Sequence, residues 1–143
     1  MLLPNKNCPS QDVQWNDIDY MITQNDFTVD PVNYGNLPEV IEEIHAAGMH
    51  YVPILDPGVS AGEPPGTYPP YEDGIAMDTF VKDKDGNVYI GKVWNPVSTA
   101  YPDFTHPRAV EYWGKQLKEF RDKISFDAIW IVSKLVYPSI YSI

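Results

Sequence analysis

The residues of this chain that could do chemistry are acids delivered by short apolar strands. Asp12-Val13-Gln14-Trp15-Asn16-Asp17-Ile18-Asp19-Tyr20-Met21 starts as a strand and turns polar at its end. Tyr51-Val52-Pro53-Ile54-Leu55 runs into Asp56-Pro57-Gly58, and Ala128-Ile129-Trp130-Ile131 runs into position 132. In a β/α barrel the C-terminal strand ends face the reaction, so acids there are site candidates. Asp17 and Asp19 lie two apart and share a face of an extended chain, where a carboxylate could hold sugar hydroxyls or a cation. The competing reading is a polar turn with Asx caps. Asp56, just before Pro57-Gly58, reads more simply as a turn residue. Trp15, Trp94 and Trp130 could each present a flat face to a sugar ring or pack into the core, whereas Trp113 reads as core.

Other chemistries find little support. His45, His50 and His106 are scattered, without the spacing of a metal site. No glycine-rich phosphate loop and no serine nucleophile elbow occur. One cysteine, Cys8, cannot form an internal disulfide. A net charge of −10 counts against nucleic-acid and anionic-membrane partners. The most apolar run, Ala128–Ile143, is broken by Lys134 and Pro138 and falls short of the ~20 residues of a membrane span. The first residues do not read as a secretory signal, and localisation stays open.

The elements that must position the acids follow from periodicity. Residues 1–11 read as tail or loop, and a first strand runs from Asp12 to Trp15. A helix then starts at the N-cap Asn36, with Pro38 in its first turn and Glu39 three residues on. Val40, Ile41, Ile44 and Ala47 form its apolar face, and Gly48 stops it. The second strand, Met49–Leu55, completes a right-handed βαβ unit. Residues 56–104 are too long for an ordinary connection and read as an elaborated loop. Within it, Phe80–Lys82 and Val88–Ile90 flank Asp85-Gly86, a hairpin signal. A second helix spans about Pro107–Ile124, capped by Thr105, with Val110, Trp113, Leu117, Phe120 and Ile124 as its stripe. A third strand, Phe126–Ile131, ends the pattern. The order is that of a consecutive piece of an α/β barrel or doubly wound sheet.

Taken together, these segments resemble the catalytic barrel of glycoside hydrolase family 31 α-glucosidases, the maltase, sucrase-isomaltase and lysosomal α-glucosidase group. The stretches that carry the resemblance are Asp12–Met21, Asp26-Phe27-Thr28, Tyr51–Gly58, Tyr68-Pro69-Pro70-Tyr71, Gly91-Lys92-Val93-Trp94, Pro102-Asp103-Phe104-Thr105 and Phe126–Ile131. The resemblance implies an incomplete (β/α)8 TIM barrel, about its second to fourth strands, with an elaborated loop after the third. It implies a retaining hydrolase that removes terminal α-linked glucose from maltose-type oligosaccharides, with neither metal nor organic cofactor. By position, Asp17 resembles the family carboxylate that holds the hydroxyls of the −1 glucose, and Ile54 and Trp94 resemble walls of that subsite. Trp130 resembles the tryptophan two residues before the nucleophile.

The pattern breaks at one residue. The family continues Trp-Ile-Asp-Met-Asn-Glu, with the aspartate as nucleophile, and this chain reads Trp130-Ile131-Val132-Ser133-Lys134. Valine can form no glycosyl ester, and the family's acid/base lies on a later strand. Residues 12–131 are therefore expected to be a barrel piece that does not hydrolyse glycosides by itself, with 132–143 as a non-family tail. Val-Ser can be written GTAAGT, the start of an intron, so translated intron is one expected origin of that tail. The alternative is a non-catalytic carbohydrate-binding relative. Three strands alone leave edges and helix stripes uncovered, so marginal stability is expected.

Overall fold

The structure, a computed structural model, describes residues 11–93 and 98–132. Its centre is a parallel pair, β1 (Val13–Asn16) and β2 (His50–Pro53), joined through helix α1 (Leu37–Ala46). Val13 lies opposite His50 and Trp15 opposite Val52, and Ile54 N–H extends the ladder to the Asn16 carbonyl at 2.8 Å. The expected βαβ unit is present. On the other side of β2, the third segment pairs through a parallel bridge between Ile54 and Trp130. Asp127 N–H donates to the Tyr51 carbonyl, Trp130 N–H to that of Pro53, and Leu55 N–H to that of Trp130. Residues 51, 53 and 55 thus face this segment, and Pro53 has no N–H to give it. One rung is missing, so the continuous strand expected over Phe126–Ile131 is reduced to a bridge. No closed barrel forms among the described residues.

Residues 56–104 depart most from expectation. They build a three-stranded antiparallel sheet of β3 (Val59–Ser60), β4 (Ile90–Gly91) and β5 (Thr99–Ala100), in the order β3-β5-β4. A further helix, α2 (Pro69–Met77), precedes β4. Two prolines at its start suit the first turn, where N–H groups have no helical partner. Gly74 in its middle would ordinarily weaken it, but the Phe80 ring lies against that glycine where any Cβ would collide. The hairpin around Asp85-Gly86 forms as expected. Lys82 bridges Val88, Asp83 N–H donates to the Asn87 carbonyl at 2.8 Å, and Gly86 adopts φ +83°.

Two helix faces match expectation at several positions and depart from it at others. In α1 the buried residues are Leu37, Ile41 and Ile44, while Val40 is exposed and Asn36 makes no side-chain cap bond. Gly48 does end the helix, at φ +77°. In α3 (Ala109–Arg121) the expected stripe holds, with Phe120 and the following Ile124 buried and Trp113 and Leu117 packed against the core, except at Val110, which is 87% exposed. The buried face is wider than expected, taking in Ala109 together with Tyr112 and Gln116, whose polar atoms find partners. Tyr112 OH donates to the Pro70 carbonyl at 2.8 Å, and Gln116 Nε2 donates to Asp73 Oδ2 at 2.8 Å. Thr105 is not the cap: its hydroxyl donates to Asp103 Oδ1. Trp113 packs between the two cores, one around Tyr20, Ile41, Tyr51 and Phe120 and one around Val59, Phe80 and Tyr112.

At the N-terminal end of the parallel strands, Asp127 ties three elements together. Its Oδ2 accepts Tyr51 N–H at 2.8 Å and lies 2.8 Å from His45 Nε2, while Oδ1 is 3.5 Å from His50 Nδ1. The Tyr51 N–H, more than the histidines, holds the Asp127 carboxyl below its ordinary range. A depressed carboxyl stabilises above its unfolded pKa of about 4 and loses that contribution as pH falls through the folded value. Asp127→Ala should therefore cost about 1–2 kcal/mol at pH 7 and less at pH 3, read by urea denaturation at both. Gly74→Ala should cost about 1–3 kcal/mol by overpacking against Phe80, read by the same method.

Candidate functional site

The C-terminal ends of the parallel segments carry Asp17, Ile54 with Asp56, and Val132; Ile54 and Asp56 line one small recess, and Asp17 is not among its lining residues. Asp17 stands one residue past β1, exposed, with Oδ1 accepting Ile18 N–H at 2.8 Å. The carboxylate thus caps the short 3-10 turn Ile18–Tyr20, the turn geometry that competed with a ligand-holding role. Asp19 is also exposed. Ile54 is buried, and its carbonyl accepts Tyr20 OH at 2.6 Å, which fixes the strand end from beneath. Trp130 is half-buried and sits edge-on to Trp15, with centroids 5.9 Å apart and an interplanar angle of 82°. Trp15 itself is 55% exposed. Trp94 lies outside the described residues.

Val132 occupies the end of the third segment. Its side chain packs against the main core and its backbone N–H donates to Asp56 Oδ1 at 2.7 Å. Asp56 is therefore more than the turn residue its Pro-Gly context suggested. It is 4% exposed and has a second acid beside it, Asp26, at 5%. The N–H groups of Asp56 and Gly58 are aimed at the Asp26 carboxyl. Burial nevertheless pushes that carboxyl well above its ordinary range, and the Asp56 charge pushes the same way. Ile18, Met21, Ile54 and Val93 line the small recess onto which the two acids open.

The segment carrying Asp26 is held in an uncommon conformation. Thr23, Gln24 and Phe27 all have positive φ, at 47°, 60° and 64°. Such residues persist only where surrounding contacts over-determine them, and they cluster at functional sites. The contacts here are specific. Tyr68 OH donates to the Asp26 carbonyl at 2.8 Å, Asn25 Nδ2 to Glu63 Oε1 at 2.7 Å, and Ile22 N–H to Thr28 Oγ1 at 2.9 Å. Burial, with the nearby Asp26, pushes the phenols of Tyr20 and Tyr68 up, so both remain neutral donors. Spacing gave no signal for the Asp26–Asp56 pairing, because the two residues are thirty apart (56 − 26). Among the described residues, no group of three or more His, Cys, Asp or Glu side chains could hold a metal ion. No helix of the described residues is long and apolar enough to cross a membrane.

The chain is similar to known proteins. Residues 5–134 match the Glycosyl hydrolases family 31 TIM-barrel domain. Over 120 residues, 84% of the chain, it is 42% identical to lysosomal alpha-glucosidase of Bos taurus, covering 13% of that protein. It is 42% identical over 127 residues to alpha-glucosidase of Mucor javanicus, covering 14% of it. Among solved structures, the glucosidase II alpha subunit bound to alpha3-Glc2 superposes with a TM-score of 0.74 at 28% identity, over 84% of this chain and 13% of that one. The Family 31 alpha-glucosidase of Bacteroides thetaiotaomicron gives 0.70 at 34% identity, over 83% and 19%. The chain thus spans about an eighth of the curated relatives' length, and along that eighth it belongs to glycosyl hydrolase family 31.

Proposed function

We propose that this chain is a piece of an α-glucosidase-type catalytic barrel, about its second to fourth strands, that carries part of a glucose subsite and no catalytic carboxylate. Asp17 supplies a hydroxyl-binding acid, and Ile54, Trp94 and Trp130 supply apolar walls. The substrate class is α-glucoside oligosaccharides of the maltose type. Residues 12–131 form the barrel piece, and 132–143 are a tail of different character.

The observation that carries this reading is at residue 132. Retaining hydrolysis needs two carboxyl groups roughly 5 Å apart, one as nucleophile and one as acid then base. Val132 stands where the third parallel segment ends, its backbone fixed by Asp56 at 2.7 Å and its isopropyl group turned to the core. An alkyl side chain can neither attack an anomeric carbon nor move a proton. Asp26 and Asp56 cannot stand in for the missing pair. Both are buried, and Asp56 is engaged with a backbone N–H.

A second reading, a non-catalytic carbohydrate binder, is favoured by one feature. The Trp15–Trp130 pair leaves Trp15 55% exposed, a flat surface of the kind that stacks on sugar rings. The two readings separate in solution. The purified chain is expected to release no chromophore from a chromogenic α-glucoside above a mock preparation; turnover above that background would overturn the first reading. Saturable binding of an iminosugar glucose mimic, weakened at least tenfold by Asp17→Asn, would favour the second.

The buried acid adds a pH dependence. A carboxyl whose folded pKa is raised is bound to its proton more tightly in the native state, so stability falls as pH rises above the unfolded value of about 4. Asp26→Asn keeps the shape and removes the ionisation. It should be more stable than the parent at pH 8, with the gain shrinking toward pH 4, as read by urea midpoints across that range.

A further inference from the structure

We propose that Asp56 is a positioning residue, whose carboxyl grips the backbone of residue 132 and sets where the side chain at the family's nucleophile position stands. The proposal deepens the reading above and rests on it for the meaning of position 132. Three geometric facts support it. Val132 N–H reaches Asp56 Oδ1 at 2.7 Å, a short bond at the limit of the described third segment. The preceding rung, Leu55 N–H to the Trp130 carbonyl at 2.8 Å, is the last backbone bond between β2's extension and that segment among the described residues. At residue 132 the partner is the Asp56 side chain. Asp56 is also backed by Asp26, which receives its backbone N–H and that of Gly58.

A grip on the backbone is indifferent to the side chain at 132. It holds valine here in the place where an aspartate would need to be fixed to within a fraction of an ångström for attack. The acceptor of the Val132 N–H is the Asp56 side chain and not a backbone carbonyl. Asp26 contributes by accepting the backbone N–H groups of Asp56 and Gly58. Its own main chain is pinned by Tyr68, so the support is continuous from the Tyr68 hydroxyl through Asp26 and Asp56 to residue 132.

The test is amide hydrogen exchange at Val132, followed by NMR on the nitrogen-15-labelled chain. The Tyr51 amide, which donates to Asp127 at the opposite end of the sheet, serves as the internal reference. In the parent, Val132 N–H should be protected. Asp56→Ala should speed its exchange by about tenfold or more, the scale of one lost charge-assisted bond, with Tyr51 changed less than twofold. Asp56→Asn keeps an acceptor oxygen and should restore most of the protection. An unprotected Val132 amide in the parent would overturn the proposal. So would an Asp56→Ala variant in which Val132 and Tyr51 lose protection together, or an Asn variant that behaves like Ala. Failure of the chain to bind an iminosugar would count against the sugar-site reading alone, since the exchange measurement involves no sugar.

Discussion

One buried carboxyl sets the terms for the rest of this structure. Asp26 lies out of water beside a second acid, and an unpaired charge there would cost more than a small domain can spare. The chain answers with a raised pKa, two backbone N–H groups aimed at the carboxyl, and a backbone pinned by Tyr68. The strained φ values of Thr23, Gln24 and Phe27 are consistent with the same demand, since they bring the Asp26 segment under the strand ends. Fold and site are thereby coupled. What keeps Asp26 tolerable also fixes Asp56, and Asp56 fixes residue 132.

Pro53 gives the third segment its carbonyl but no N–H, so pairing on that side rests on Tyr51, the Pro53 carbonyl, Leu55 and two side-chain carboxyls, Asp127 at one end and Asp56 at the other. Tyr20 adds a hydroxyl to the Ile54 carbonyl from the core side. Side chains therefore do at both ends what a regular ladder does in its middle. That arrangement separates scaffold from chemistry. The strand end keeps its geometry while the residue that would react is an alkyl group.

Much of this was legible in the sequence, and the exceptions have physical causes. The parallel βαβ unit, the stop at Gly48 and the turn at Asp85-Gly86 follow from periodicity and turn chemistry, while the family resemblance rests on the particular residues of several motifs along Asp12–Ile131. Helix α2 was hidden by Gly74, whose presence answers to the Phe80 ring and not to helix propensity. Strands β3, β4 and β5 are two residues long and carry no period. The α3 stripe holds at Trp113, Leu117, Phe120 and Ile124 and fails at Val110, while Tyr112 and Gln116 are buried beside it with polar atoms that meet Pro70 and Asp73. Asp17 and Ile54 were found where the strands were expected to end, whereas Asp26 and Asp56 gained their importance from burial, which no local pattern records.

The account stands or falls on the state of Asp26, and the most direct measurement is its carboxyl carbon shift across a pH titration of the carbon-13-labelled chain. A midpoint well above the ordinary carboxylate range, moving down when Asp56 is replaced by Asn, is the expected result. A midpoint near 4, unmoved by that replacement, would mean that Asp26 is neither buried nor coupled to Asp56, and the continuous support of residue 132 would have no foundation.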